Sequence, residues 1–168
     1  MNKRIRHMAH GAIIAAMYVG LTHLQNLLLP GSATWAVQLR LSEALCVLAF
    51  FTPAAIPGLA IGCFLFNLTF SGALPLDAPL GALATYLAVQ GMYLLRNVRL
   101  RGLPLPGLLL PALTNGLLVG WELSVYIGGA FPVNAAYVAL GEAIVLLLFG
   151  SVLYLTLRRR GLDRRLFS

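Results

Sequence analysis

Apolar residues run along this chain in long blocks separated by short polar or Pro/Gly-rich breaks. Blocks near residues 9–29, 79–95, 107–127 and 132–157 are each about as long as the ~20 residues a helix needs to cross a bilayer. A fifth apolar stretch, Ser42 to Ser71, is interrupted by Thr52-Pro53-Ala54-Ala55-Ile56-Pro57. Proline removes a backbone donor and disfavours helix in the residue before it. The stretch therefore reads either as one long broken helix or as two short ones, near 42–55 and 57–71.

Charge separates these alternatives. All of the Lys and Arg residues except Arg40 fall in three clusters: Lys3, Arg4 and Arg6; Arg96, Arg99 and Arg101; and Arg158, Arg159, Arg160, Arg164 and Arg165. Basic loops are retained on the cytoplasmic side of a membrane. With the N-terminus inside, two helices between residues 42 and 71 bring both later clusters back to the inside, whereas one helix would leave both outside. The expectation is an all-α, polytopic membrane protein. It forms a single transmembrane domain over residues 1–168, with six transmembrane helices and both termini cytoplasmic.

Composition agrees. Sixty percent of the residues are hydrophobic and 10% charged, and the mean hydropathy is +0.86, leaving no room for a separate soluble domain in 168 residues. The net charge of +7 is carried beside apolar segments, where it faces anionic lipid; nucleic acid is not an expected partner. Met1 to Leu24 has the basic-then-apolar form of a signal peptide, but the apolar run continues to Leu29 without a convincing cleavage site, so it reads as a retained first helix. Cys46 and Cys63 fall within spans and read as small buried residues.

The topology sorts the polar residues by depth. His23, Gln25 and Asn26 lie near the outer end of the first span, and Gln38, Arg40, Ser42 and Glu43 open the second. Asn67 is near the outer end of the third. Glu122 lies ~8 Å from the outer end of the fifth span, with Asn115 two turns below it on the same face. Glu142 lies ~15 Å into the sixth. The costly groups thus collect in the outer half of the membrane, where each needs a partner or a function. Arg40 and Glu43, at i and i+3, suit mutual pairing as well as ligand binding. Glu122 and Glu142 have no other buried base to meet.

Three carboxylates against one Arg suit a cation, or a planar molecule rich in N–H donors, better than an anion. A carboxylate accepts two parallel N–H bonds from a guanine-like edge as it does from Arg. Trp35, Trp121, Tyr126 and Tyr86 are candidates for stacking, or for interfacial anchoring. On the first helix Ala12, Ala16 and Gly20 recur every four residues, as do Gly11 and Ala15. That small-residue face serves internal packing or a docking partner.

Other chemistry finds no support. A phosphate-binding loop needs Gly-Lys-Ser/Thr, and the chain's one lysine is Lys3. His7 and His10 sit in a basic segment and read as a solvated face, with no metal site and no cofactor implied. Nothing places a nucleophile next to a base, so the chain is not expected to be an enzyme.

The segments Gln38-Leu39-Arg40-Leu41-Ser42-Glu43-Ala44-Leu45, Phe50-Phe51-Thr52-Pro53-Ala54-Ala55-Ile56-Pro57-Gly58-Leu59 and Gly62-Cys63-Phe64-Leu65-Phe66-Asn67 resemble the queuosine-precursor transporter family (QueT). So do Asn115-Gly116-Leu117-Leu118-Val119-Gly120-Trp121-Glu122-Leu123 and Tyr137-Val138-Ala139-Leu140-Gly141-Glu142. These are substrate-binding S components of energy-coupling-factor (ECF) transporters, a class of ABC importer. The resemblance implies a six-helix bundle in a prokaryotic plasma membrane and a 7-deazaguanine ligand such as preQ1, preQ0 or queuine. It implies substrate contacts among Arg40, Glu43, Asn67, Asn115, Glu122 and Glu142. It also implies a partner complex of one transmembrane coupling subunit and two ATPase subunits, docked through an Ala-x-x-x-Ala face that Ala12 and Ala16 match. ATP hydrolysis would then reside in the partners.

Two further readings stay open. A stand-alone membrane carrier would need a polar path to the cytoplasmic side, where Gln90 is the main polar group. An S component for another vitamin is the other, and the cationic vitamin thiamine fits the carboxylate excess best.

Overall fold

The structure, a computed structural model, describes residues 2–32, 38–70, 72–100 and 102–162; Trp35, Arg101, Arg164 and Arg165 lie outside them. The described residues are all-helical apart from turns and a two-residue bridge, as the apolar blocks require. Helix α1 spans Lys3–Leu28, and a 3₁₀ helix follows at Leu41–Phe50. Then come α2 (Ala55–Thr69), α3 (Asp77–Leu94), the short α4 (Leu105–Leu108) and α5 (Leu110–Tyr126). Helix α6 (Phe131–Val145) continues through one π turn at Leu146–Gly150 into α7 (Ser151–Arg159). Among the described residues, three stretches are long and apolar enough by length and composition to cross a membrane: Lys3–Leu28, Leu105–Tyr126 and Phe131–Arg159.

The ambiguous stretch is two helices, and contacts with α1 give their directions. Going up α1, Gly11, Ala15 with Tyr18, and then His23 meet Gly58, Gly62 and Phe66 of α2 in the same order, so α1 and α2 run parallel. The 3₁₀ helix runs the other way, with Ser42 beside Thr22 and Ala54 beside Gly11. The chain therefore reverses over Phe51–Ala54, at the proline break.

A ten-residue 3₁₀ helix is unusual, because runs beyond three or four residues have poorer hydrogen-bond geometry. Its surroundings account for it. Every residue from Ser42 to Phe50 is buried, so packing on all sides holds the narrower coil. At ~2.0 Å per residue it also reaches farther than an α-helix of the same length, and its threefold repeat puts Glu43 and Cys46 in one row.

Small residues bring helices together. A Cβ on Gly58 would lie 2.6 Å from the Gly11 carbonyl, and one on Gly62 would lie 2.8 Å from Tyr18 Cβ. Gly116 and Gly120 of α5 likewise meet Ala139 and Ala135 of the antiparallel α6. Both pairs are Gly-x-x-x-Gly motifs, the spacing that lets helix backbones approach where no water drives association. At the far end of the bundle from the polar residues, Leu100 and Leu103 close a tight turn in the basic loop, with Gly102 at φ 85° supplying its left-handed residue.

Candidate ligand-binding site

Polar residues gather in one half of the bundle, from its end to about its middle. The C-terminal halves of α1, α2 and α5 carry Gln25, Asn67 and Glu122 there, and the start of the 3₁₀ helix and the loop before it carry Glu43, Gln38 and Arg40. Asn115 and Glu142 sit deeper, in the first half of α5 and the last turn of α6; all are buried. The N-terminus, the basic loop and α7 occupy the opposite end. All six residues proposed from the sequence as substrate contacts therefore belong to one polar region, and hydrogen bonds divide it into two clusters.

The first is built on Arg40. Its Nη2 donates to Asn67 Oδ1 at 3.3 Å, Nη1 lies 3.9 Å from Cys63 Sγ, and its guanidinium carbon stands 5.6 Å from the centre of the Phe66 ring. Asn67 in turn donates to the Asp77 carbonyl at 2.8 Å, tying α2 to the start of α3. Gly81 makes this possible, since a Cβ there would lie 2.7 Å from Asn67 Nδ2. Arg40 also lies within electrostatic reach of Glu43 and Glu142.

Glu43 is held from α1 and from its own helix. Tyr18 donates its hydroxyl to Glu43 Oε1, and Cys46 Sγ lies 3.2 Å from Oε2. One turn up, Thr22 Oγ1 lies 2.7 Å from Ser42 Oγ. Gln25 then ties down both ends of the loop between α1 and the 3₁₀ helix. Its Nε2 lies 3.0 Å from Ser32 Oγ and also reaches the Leu39 carbonyl, while its Oε1 accepts from Leu41 N at 2.8 Å.

The second cluster bridges α5 and α6. Asn115 Nδ2 donates to Glu142 Oε1 at 2.6 Å, and Glu142 Oε2 has no hydrogen-bond partner. Gly141 lets the Gln38 backbone pass close by; a Cβ there would lie 2.5 Å from the Gln38 carbonyl oxygen. Glu122 is fully buried, and neither of its carboxylate oxygens has a hydrogen-bond partner. The Asp77 carboxyl and the Leu76 backbone at the start of α3 stand next to it and Arg40 lies within electrostatic reach, but none of them meets either oxygen at hydrogen-bond distance and angle. A buried carboxylate without a donor forfeits roughly 1–3 kcal/mol or more, so these three oxygens are the unsatisfied carboxylate acceptors; the Asn26 amide and Thr85 Oγ1 are also without partners among the described residues.

The aromatic candidates divide. Trp121, Tyr126 and Tyr86 are each almost half exposed, on outward faces of their helices, while Trp35 lies outside the described residues. Among the described residues, rings that contact the charged groups of the polar region include Tyr18, at Glu43, and Phe66, at Arg40, neither of which the apolar pattern singles out. The only signal for either was its place in an apolar span next to a polar residue one turn away. The sequence presents the cysteines as packing residues; both are buried free thiols, and Cys63 also meets Arg40 while Cys46 meets Glu43.

The small-residue face of α1 also divides. Gly11 and Ala15 are buried against α2, whereas Ala12, Ala16 and Gly20 are exposed. This outer row lines an apolar groove of about 730 Å³ together with Val19, Pro57 and Ile61. One helix thus presents Ala12 and Ala16 outward while Tyr18, on its inner side, holds Glu43.

Among known proteins, no curated protein and no solved structure matches the chain. The family model for the QueT transporter matches residues 8–159, from the second turn of α1 to the end of α7. That match takes in both polar clusters and the groove, and the chain belongs to the QueT transporter family.

Proposed function

We propose that this membrane transporter is the substrate-binding S component of an ECF importer. In this reading it takes up a 7-deazaguanine queuosine precursor from the outer face of a prokaryotic plasma membrane. Six spans with both termini cytoplasmic put the polar end of the bundle outside and the basic clusters inside. The observation that carries the reading is the buried acceptor set, Glu122 Oε1 and Oε2 with Glu142 Oε2, which has no donor of its own. A base that presents N–H groups along one edge supplies the missing donors, and an anionic vitamin does not. Arg40, Glu43, Asn67 and Asn115 complete the pocket by holding these carboxylates and the adjoining backbone in place.

The exposed Ala12 and Ala16 fit close approach by a helix of the coupling subunit, which with two ATPases would drive release to the cytoplasm. Titration calorimetry of the purified chain against preQ1, preQ0, queuine and thiamine tests the ligand. Binding of at least one deazaguanine, with thiamine inert, is the expected result. Tight binding of thiamine alone would overturn it in favour of a different vitamin.

A further inference from the structure

The two orphan carboxylates are not equivalent. A fork of two parallel N–H bonds needs a carboxylate with both oxygens free, and only Glu122 has that. Glu142 has already given Oε1 to Asn115, so one oxygen remains for one donor. Asn115 and Glu122 are seven residues apart on α5, which places them two turns and about 10 Å apart on one face. That spacing along α5 is comparable to the length of a fused two-ring base with a one-carbon arm. Charge points the same way. Arg40 lies within electrostatic reach of Glu43, Glu122 and Glu142, and the Asp77 carboxylate faces Glu122, so one cation stands among four carboxylates.

Building on the deazaguanine reading above, we propose that Glu122 accepts the paired donors of the base, its 2-amino group and the adjacent ring N–H, while Glu142, steadied by Asn115, reads the substituent on the five-membered ring. The site thereby selects a precursor bearing a basic amine over one bearing a nitrile. An ammonium donates to the free Glu142 oxygen and offsets the excess negative charge. A nitrile offers only an acceptor, so it sets one lone pair against another and leaves the carboxylate unpaired, which is discrimination by repulsion as well as attraction.

The test is calorimetry with 7-aminomethyl- and 7-cyano-7-deazaguanine (preQ1 and preQ0) on the parent, Glu122→Gln and Glu142→Gln. The parent is expected to bind the amine ~10- to 100-fold more tightly, the range of one charge-assisted hydrogen bond. Glu122→Gln should weaken both bases by a similar factor and keep their ratio, since both present the same edge. Glu142→Gln should lose the preference, because the amine weakens ~10- to 100-fold while the nitrile, which can accept from the new amide, does not. Retained nitrile binding also shows that this variant is folded, so the ratio decides the matter even if Glu122→Gln is unstable. Equal affinity of the parent for the two bases, or an unchanged ratio in Glu142→Gln, overturns the assignment. If neither base binds the parent, it is the deazaguanine reading itself that fails.

Discussion

Tyr18 is the residue whose removal best tests how the site is held. It is fully buried on α1, and its hydroxyl donates to Glu43 Oε1, whose other oxygen is served by the weaker Cys46 thiol. Tyr18→Phe keeps the ring and removes one donor to a buried carboxylate, a loss of about 1.5–3 kcal/mol. For a chain of this size each kcal/mol lowers the melting temperature by about 2–4 °C, so the expected drop is about 3–12 °C. Tryptophan fluorescence during thermal melting of the purified chain in detergent measures it. The informative comparison is a double-mutant cycle with Glu43→Met, which removes the acceptor while keeping an unbranched side chain of similar length. In that background Tyr18→Phe should cost little, because replacing both partners by apolar groups leaves no unpaired polar atom beyond those already lost. If Tyr18→Phe costs the same in both backgrounds, the hydroxyl is not stabilising Glu43, and the link drawn here between α1 and the polar cluster is wrong.

Two further outcomes follow from topology and docking. In intact cells an impermeant thiol reagent should label Ala130→Cys, at the exposed turn before α6, and spare Arg99→Cys in the exposed basic loop; the native Cys46 and Cys63 are buried and give little background. Labelling at position 99 from outside would rule out six spans with cytoplasmic termini. Replacing Ala12 and Ala16 by Leu should fill the groove on α1, leaving ligand affinity within about twofold while abolishing uptake, since the added bulk prevents close helix contact. Full co-purification of that variant with the coupling subunit and ATPases would move the docking surface elsewhere.

Much of the architecture was legible in the one-dimensional pattern, because helix formation in an apolar chain is a local matter. The apolar blocks specify helices, the prolines at 53 and 57 specify the break, and the basic clusters require the reversal seen at Phe51–Ala54. The burial of Arg40, Glu43, Asn67, Asn115, Glu122 and Glu142 also follows from sequence, since a polar group in an apolar segment must turn toward the interior or pay for exposure to lipid. Periodicity says which residues share a face, but not which face of another helix they meet. That depends on rotation and crossing of the helices, which the close Gly58/Gly62 and Gly116/Gly120 contacts constrain. Only the assembled bundle could therefore give Asn115 to Glu142, bring Tyr18 to Glu43 and Phe66 to Arg40, and leave Glu122 with both oxygens unpaired. The same rotation split the small residues of α1 into a buried row and an exposed one. Seven residues of spacing look alike in a sequence, and packing decides which of them meet a partner.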